Sequence, residues 1–310
     1  MKKKVLIIGN GFDLDLGWKT RYSDFARSEC WPFNEDVKQY YLDYFLNQKK
    51  EINNWFDIED ALFQYADTRQ RGIDFHIQKD VVDANKITFN SLTESLTKYL
   101  SNEQTKPIEK ESYAAKVLKS VIDNGYFSSI YTFNYTNLAL VAKQLGKEMP
   151  NFEYVHGSIE RNDIILGVSD QLDVVSGYSF LYKTFNRNYS SHHILFDLKE
   201  AEEIVFFGHS LSSNDYHYFE EFFKLQSSET LARENGKRIT IFTYDDNSRL
   251  QIMEQLRFMN DKRTNLLFGM NDLNVIHTKD RSDDNKLDAF LKHLKEDSSE
   301  AHRTKLYVLR

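Results

Sequence analysis

Four short segments of this 310-residue chain carry residue types that bind or transform a polar ligand. Ile8-Gly9-Asn10-Gly11-Phe12-Asp13 sets two glycines directly after an apolar run. There the backbone can approach a phosphate closely, and a following helix offers N–H groups to it. The spacing departs from G-x-G-x-x-G, since position 14 is leucine, and a tight turn with Asp13 capping the helix is the alternative. Thr132-Phe133-Asn134-Tyr135-Thr136-Asn137 supplies Asn134, an amide able to orient a water or a ribose hydroxyl, and Asn137, a common N-cap type. Tyr154-Val155-His156-Gly157-Ser158 supplies a histidine suited to general-base work near neutral pH, although lone histidines are more often structural. Phe207-Gly208-His209-Ser210-Leu211-Ser212, with Asn214 and Asp215 opening the next helix, is a second phosphate-compatible turn, and Asp215 as a cap is its structural alternative.

Each segment must be positioned by an element, and the pattern says which. Short continuous apolar runs at 5–8, 129–133, 152–155, 164–168, 204–207, 239–244 and 273–276 read as strands buried on both faces. Helical spacing at 137–146, 213–227, 247–259 and 284–296 alternates with them. The expected fold is therefore α/β, an open parallel Rossmann-like sheet flanked by helices. In such a sheet the carboxyl ends of the strands share one rim, and all four chemical segments fall there. Residues 34–122 break the rhythm and read as an all-helical insertion, leaving 1–33 and 123–310 as a nucleotide-binding core. The strand-like Lys305–Arg310 has no evident place in this scheme.

Composition narrows the function. Forty Lys+Arg against 47 Asp+Glu leave a formal charge of −7, so nucleic acid and anionic membranes are not indicated as partners. The single cysteine, Cys30, excludes an internal disulfide and a multi-cysteine zinc site. No apolar run approaches a membrane span, and the apolar stretch after the N-terminal lysines is too short for a signal peptide, so a cytoplasmic protein is expected. No metal is expected. A serine hydrolase fits poorly because the Gly208 turn lacks the second glycine of a nucleophile elbow. Asp13, Glu59 and Asp60 lack a metal-site spacing, which leaves a nuclease as a weaker reading. Tyr40, Tyr41, Tyr44, Phe45, Trp55, Phe56 and Phe63 crowd the insertion, suggesting exposed apolar surface, a wall of the ligand site and a homo-oligomer.

The residues also resemble a family. Ile7-Ile8-Gly9-Asn10-Gly11-Phe12-Asp13-Leu14, Thr20-x-Tyr22-Ser23-Asp24-Phe25, Trp55-Phe56-x-Ile58-Glu59 and Thr132-Phe133-Asn134-Tyr135-Thr136 look like the bacterial abortive-infection AbiH family. More remotely, the order of Gly-rich loop, Thr-x-Asn, His-Gly and Gly-x-Ser-Leu is similar to the sirtuin-like NAD-binding fold. The second resemblance implies an NAD or related nucleotide as ligand. It places Gly9, Asn10, Gly11, Phe12, Asp13, Thr132, Gly208 and Ser210 on that ligand, and Asn134 and His156 as the catalytic pair; Asp215, opening the helix after the Gly208 turn, is a further candidate ligand contact. Two departures count: the four-cysteine module of sirtuin deacetylases is missing, and Thr136 stands where those enzymes carry Asp. The resemblance therefore implies the branch that cleaves NAD to nicotinamide and ADP-ribose, in an antiphage protein answering a phage-derived trigger. A catalytically silent nucleotide-binding sensor is the alternative.

Overall fold

The computed structural model describes residues 3–33, 41–52, 56–67, 78–232 and 236–308. They form two compact units. The first comprises residues up to Trp18, Pro107–Val155 and everything from His192; the second comprises Lys19–Lys106 and His156–Ser191.

The first unit is built on a six-stranded sheet in which every neighbouring pair is parallel. Its strands are β1 (Lys3–Ile8), β2 (Ser129–Thr132), β3 (Glu153–Tyr154), β4 (Ala201–Phe207), β5 (Arg238–Thr243) and β6 (Asp272–His277). Their spatial order is β3-β2-β1-β4-β5-β6. The chain builds outward from β1 on one side, returns to its other flank, and builds outward again. This is the order of dinucleotide-binding folds, with its reversal between β1 and β4.

β1 shows why continuous apolar runs form such a sheet. Its side chains alternate between faces, and both faces are covered. Leu6 and Ile8 pack with Val117, Leu118 and Val121 of the helix Tyr113–Asn124, and with Leu287, Phe290 and Leu294 near the C-terminus. Val5 and Ile7 pack on the other face, with Ile194 and Leu198, with Phe219, Phe222 and Phe223 of the helix Tyr216–Gln226, and with Ile252 and Leu256.

The second unit is mainly helical. The helices Leu42–Ile52, Ile58–Ala66 and Lys79–Glu103 meet around Asn85, which is wholly buried. Its side-chain oxygen accepts from Leu42 N at 2.9 Å, and its amide donates to the hydroxyls of Tyr65 (2.9 Å) and Tyr178 (2.8 Å). Glu59 and Lys183 form a buried ion pair at 3.0 Å that ties the 58–66 helix to the 156–191 segment.

Three expectations need correction. Residues 164–168 form no strand; the segment makes only an isolated bridge, Val168 to Tyr182, and Gly167 sits against Leu181 O where a Cβ would lie at 2.2 Å. An apolar run shows burial, and here burial is met by loop packing instead of a ladder. Residues 305–308 belong to the long helix Asp284–Val308, while 309 and 310 lie outside the described residues. Among the described residues, the aromatics of the insertion singled out by sequence are largely covered: Phe56 is buried and Tyr41, Tyr44, Phe45 and Phe63 are half-buried. Tyr40 and Trp55 lie outside the described residues.

Candidate functional site

Strand register builds the rim of the first unit. Pairings place Tyr154, Thr132, Ile8, Phe207, Phe242 and Ile276 in one row across the six strands. Backbone bonds extend the ladder one step further: Phe133 N donates to Ile8 O (2.8 Å), Gly9 N to Phe207 O (3.0 Å) and Gly208 N to Phe242 O (2.9 Å). The segments that carry the candidate residues leave the sheet directly beyond this row.

At the β1–β4 reversal the two loops touch backbone to backbone. Gly11 N donates to Gly208 O at 2.8 Å. An ideal Cβ would lie 2.6 Å from Gly208 Cα if placed on Gly11, and 2.6 Å from His209 Cα if placed on Gly9. Gly208 has φ +65°, and a Cβ there would come within 2.4 Å of Gly11 C and Phe12 N. The glycines thus let two chain segments interlock. Phe12 N donates to Gly9 O (2.9 Å), so the N–H groups of Gly9, Gly11 and Phe12 are all engaged by carbonyls of the protein. The Phe12 ring is a core side chain, edge-on to Phe207 at 5.2 Å, and Asn10 is exposed.

Asp13 follows in the short helix Asn10–Asp15, whose N-cap position is Gly9, so its carboxyl is not a cap. It is 1% exposed. Its Oδ2 accepts from Thr136 Oγ1 at 2.7 Å, whereas Oδ1 has no hydrogen-bond partner among the described residues. Burial pushes the carboxyl up to about 7, with Thr136 and Asn134 pulling the other way. Asn134, 6% exposed, is oriented by two bonds: its N–H donates to Thr132 Oγ1 (3.1 Å) and its amide to Gly9 O (3.1 Å). Asp13, Thr132, Asn134 and Thr136 therefore form one buried polar cluster linking the loops after β1 and β2. Asn137 Oδ1 accepts from Ala139 N at 2.8 Å and is a helix cap.

Beyond β4, His209 is 3% exposed. Its Nδ1 accepts from Leu211 N at 3.0 Å, which leaves the proton on Nε2, facing Asp215 Oδ2 at 3.6 Å. Its ring stands edge-on to Phe133 at 4.3 Å. Leu211 is held at φ +53°, a costly conformation for leucine and one that clusters at functional sites. Ser210 is exposed. The spacing of 207–212 could not single out His209, because its pairing depends on a turn that only the folded loop reveals.

His156 opens the second unit's 156–191 segment and is 5% exposed. Its carbonyl accepts from Ile165 N at 2.8 Å. Gly157, at φ +73°, lies where a Cβ would fall 2.1 Å from Asp163 O, and Ser158 N donates to Asp163 Oδ1 at 2.7 Å. The histidine is thus carried on a tightly closed loop. Glu59, weighed above as a carboxylate, is committed to Lys183.

No helix among the described residues is long and apolar enough to cross a membrane. Comparison with curated proteins returned no match. The family model described as Bacteriophage abortive infection AbiH matches residues 5–233, which include most of β1, the insertion, β2 to β4 and every segment of the candidate site. The chain belongs to the AbiH family of bacteriophage abortive infection proteins.

Proposed function

We propose that this abortive-infection protein binds NAD or a related nucleotide at the carboxyl rim of its sheet and hydrolyses the nicotinamide–ribose bond. The observation that carries the reading is the placement of the Asp13–Asn134–Thr136 cluster beside the β1–β4 reversal of a β3-β2-β1-β4-β5-β6 sheet. Open parallel sheets bind nucleotides at that point.

Cleavage of the glycosidic bond develops positive charge on the ribose and needs a positioned water more than covalent help. In this reading the bond from ribose C1′ to the nicotinamide nitrogen breaks, its electron pair leaves with nicotinamide, and water oxygen bonds to C1′. Asn134 orients the water or a ribose hydroxyl, and the proton the water loses passes to a base. Ser210 and Asp215 line the ligand's approach, with Thr132 holding Asn134.

Purified protein incubated with NAD tests this directly. Nicotinamide release that Asn134→Ala lowers by about two orders of magnitude or more is the expected result. A folded Asn134→Ala variant with unchanged release removes Asn134 from the chemistry, whereas nucleotide binding without turnover, also in phage-challenged cells, favours the silent sensor.

A further inference from the structure

We propose that Asp13 Oδ1 accepts a hydrogen bond from a hydroxyl of the bound ligand, a ribose hydroxyl in a nucleotide, and that the Gly9–Asp13 loop is not a phosphate cradle. The inference rests on the nucleotide reading above and assigns the ligand group that meets this loop.

Three observations carry it. First, three of the loop's backbone donors are already spent: Gly9, Gly11 and Phe12 N–H bond to Phe207, Gly208 and Gly9 carbonyls. Second, the group the loop holds in reserve is an acceptor. Asp13 is 1% exposed, Oδ2 is satisfied by Thr136 at 2.7 Å, and Oδ1 has no partner among the described residues. Buried polar atoms are nearly always paired, so an open carboxylate oxygen marks a place for a donor. Third, a phosphate in contact would face this carboxylate with like charge, which costs about 4 kcal/mol at 4 Å even with strong local screening. Asn134, whose amide is fixed on Gly9 O, marks the cluster as the part of the rim where a sugar would be oriented.

The two alternatives have opposite proton linkage. A hydroxyl donating to Oδ1 stabilises the ionised form and expels a proton on binding, whereas a neighbouring phosphate stabilises the neutral form and draws one in. With the carboxyl near 7, a neutral buffer is where the sign reads out. Other titratable groups on the surrounding elements are Asp15 on the same helix, Tyr113, and His209 with Asp215 beyond β4; none is among the causes of the Asp13 shift.

Calorimetry of the binding of a carbocyclic NAD analogue, which keeps the ribose hydroxyls but cannot be hydrolysed, to the full chain at pH 7 in two buffers of different ionisation enthalpy counts the protons exchanged. Release of about half a proton per site is expected, since about half the carboxyls carry one at that pH. Asp13→Asn should abolish the release, and NAD analogues lacking one ribose hydroxyl should bind about tenfold weaker or worse. Should Asp13→Asn fail to fold, Thr136→Val serves: it removes the donor to Oδ2, so more protein carries the proton and release rises. Uptake of protons, no exchange, or release that survives in Asp13→Asn overturns the assignment while leaving nucleotide binding intact. Absence of any binding of the analogue overturns both.

Discussion

Asp13 carries a measurable cost. Its folded carboxyl is raised by burial to about 7 from an ordinary value of 3.8, so the folded state holds the proton more tightly than the unfolded chain. The sign follows: stability is lost as pH rises from about 4 through about 7, and the full penalty applies above that. Asp13→Asn should therefore gain on wild type as pH rises, the difference between the two widening by on the order of 2–4 kcal/mol from pH 4 to pH 8, in thermal melts of the ligand-free protein. An equal effect at both pH values would contradict the buried acid. The interlocked glycines give the opposite kind of prediction. Gly208→Ala places a Cβ on the backbone of Gly11 and Phe12 at a positive φ. It should cost about 3 kcal/mol or more, seen in melts and in soluble yield. Gly11→Val should fail the same way, by unfolding the turn and not by filling a ligand's space.

At the scale of elements, buried polar contacts tie parts of the second unit together. Asn85 satisfies one helix start and two tyrosine hydroxyls at once, so Asn85→Leu leaves three buried groups without their partner. It should destabilise the protein by about 2–5 kcal/mol, measured by denaturant unfolding. The Glu59–Lys183 pair tests a different balance. Lys183→Met strips the ammonium from a carboxylate that is almost fully buried and should cost about 3–5 kcal/mol. Adding Glu59→Gln should recover much of that loss, because the pair has already given up most of its attraction to desolvation. A double variant no better than the single one would show that Glu59 is held by more than this ammonium.

For the whole molecule, the family match and the folded unit have different ends. The match stops at 233, but β5 and β6 and the C-terminal helix come later in the chain. Phe242 of β5 stacks on Phe207 at 4.6 Å and meets Phe290 edge-on at 5.2 Å. Tyr126, His293 and Arg238 converge on the buried Glu203 of β4 at 2.7, 2.9 and 3.4 Å. A chain truncated after residue 233 should thus be insoluble or molten by circular dichroism and proton NMR, since β4 would lose its neighbour and one face of the sheet its cover. A truncated chain with native-like dispersion would refute this dependence.

Much of this was legible in the residues. Apolar runs too short for helices, each ending in glycine or a small polar cluster, specify strands buried on both faces, and their alternation with helical spacing specifies a parallel sheet. The motif around Gly9 and the Thr132–Thr136 stretch were enough to mark the family and the rim. Tertiary structure alone decided how the rim is built. Nothing in the spacing tells that Gly11 and Gly208 exist to let two loops cross in contact, because the residues involved are 197 positions apart. Nor can it tell that residues 156–191 join the 19–106 helices, or that 164–168 is buried without pairing. Asp13 makes the point most sharply. By type and place it is a helix cap or a loop carboxylate, and only burial beside Thr136 and Asn134 turns it into an acid that titrates near 7. A pattern reports what each residue prefers, whereas a pKa and a close approach depend on what distant residues remove from around it.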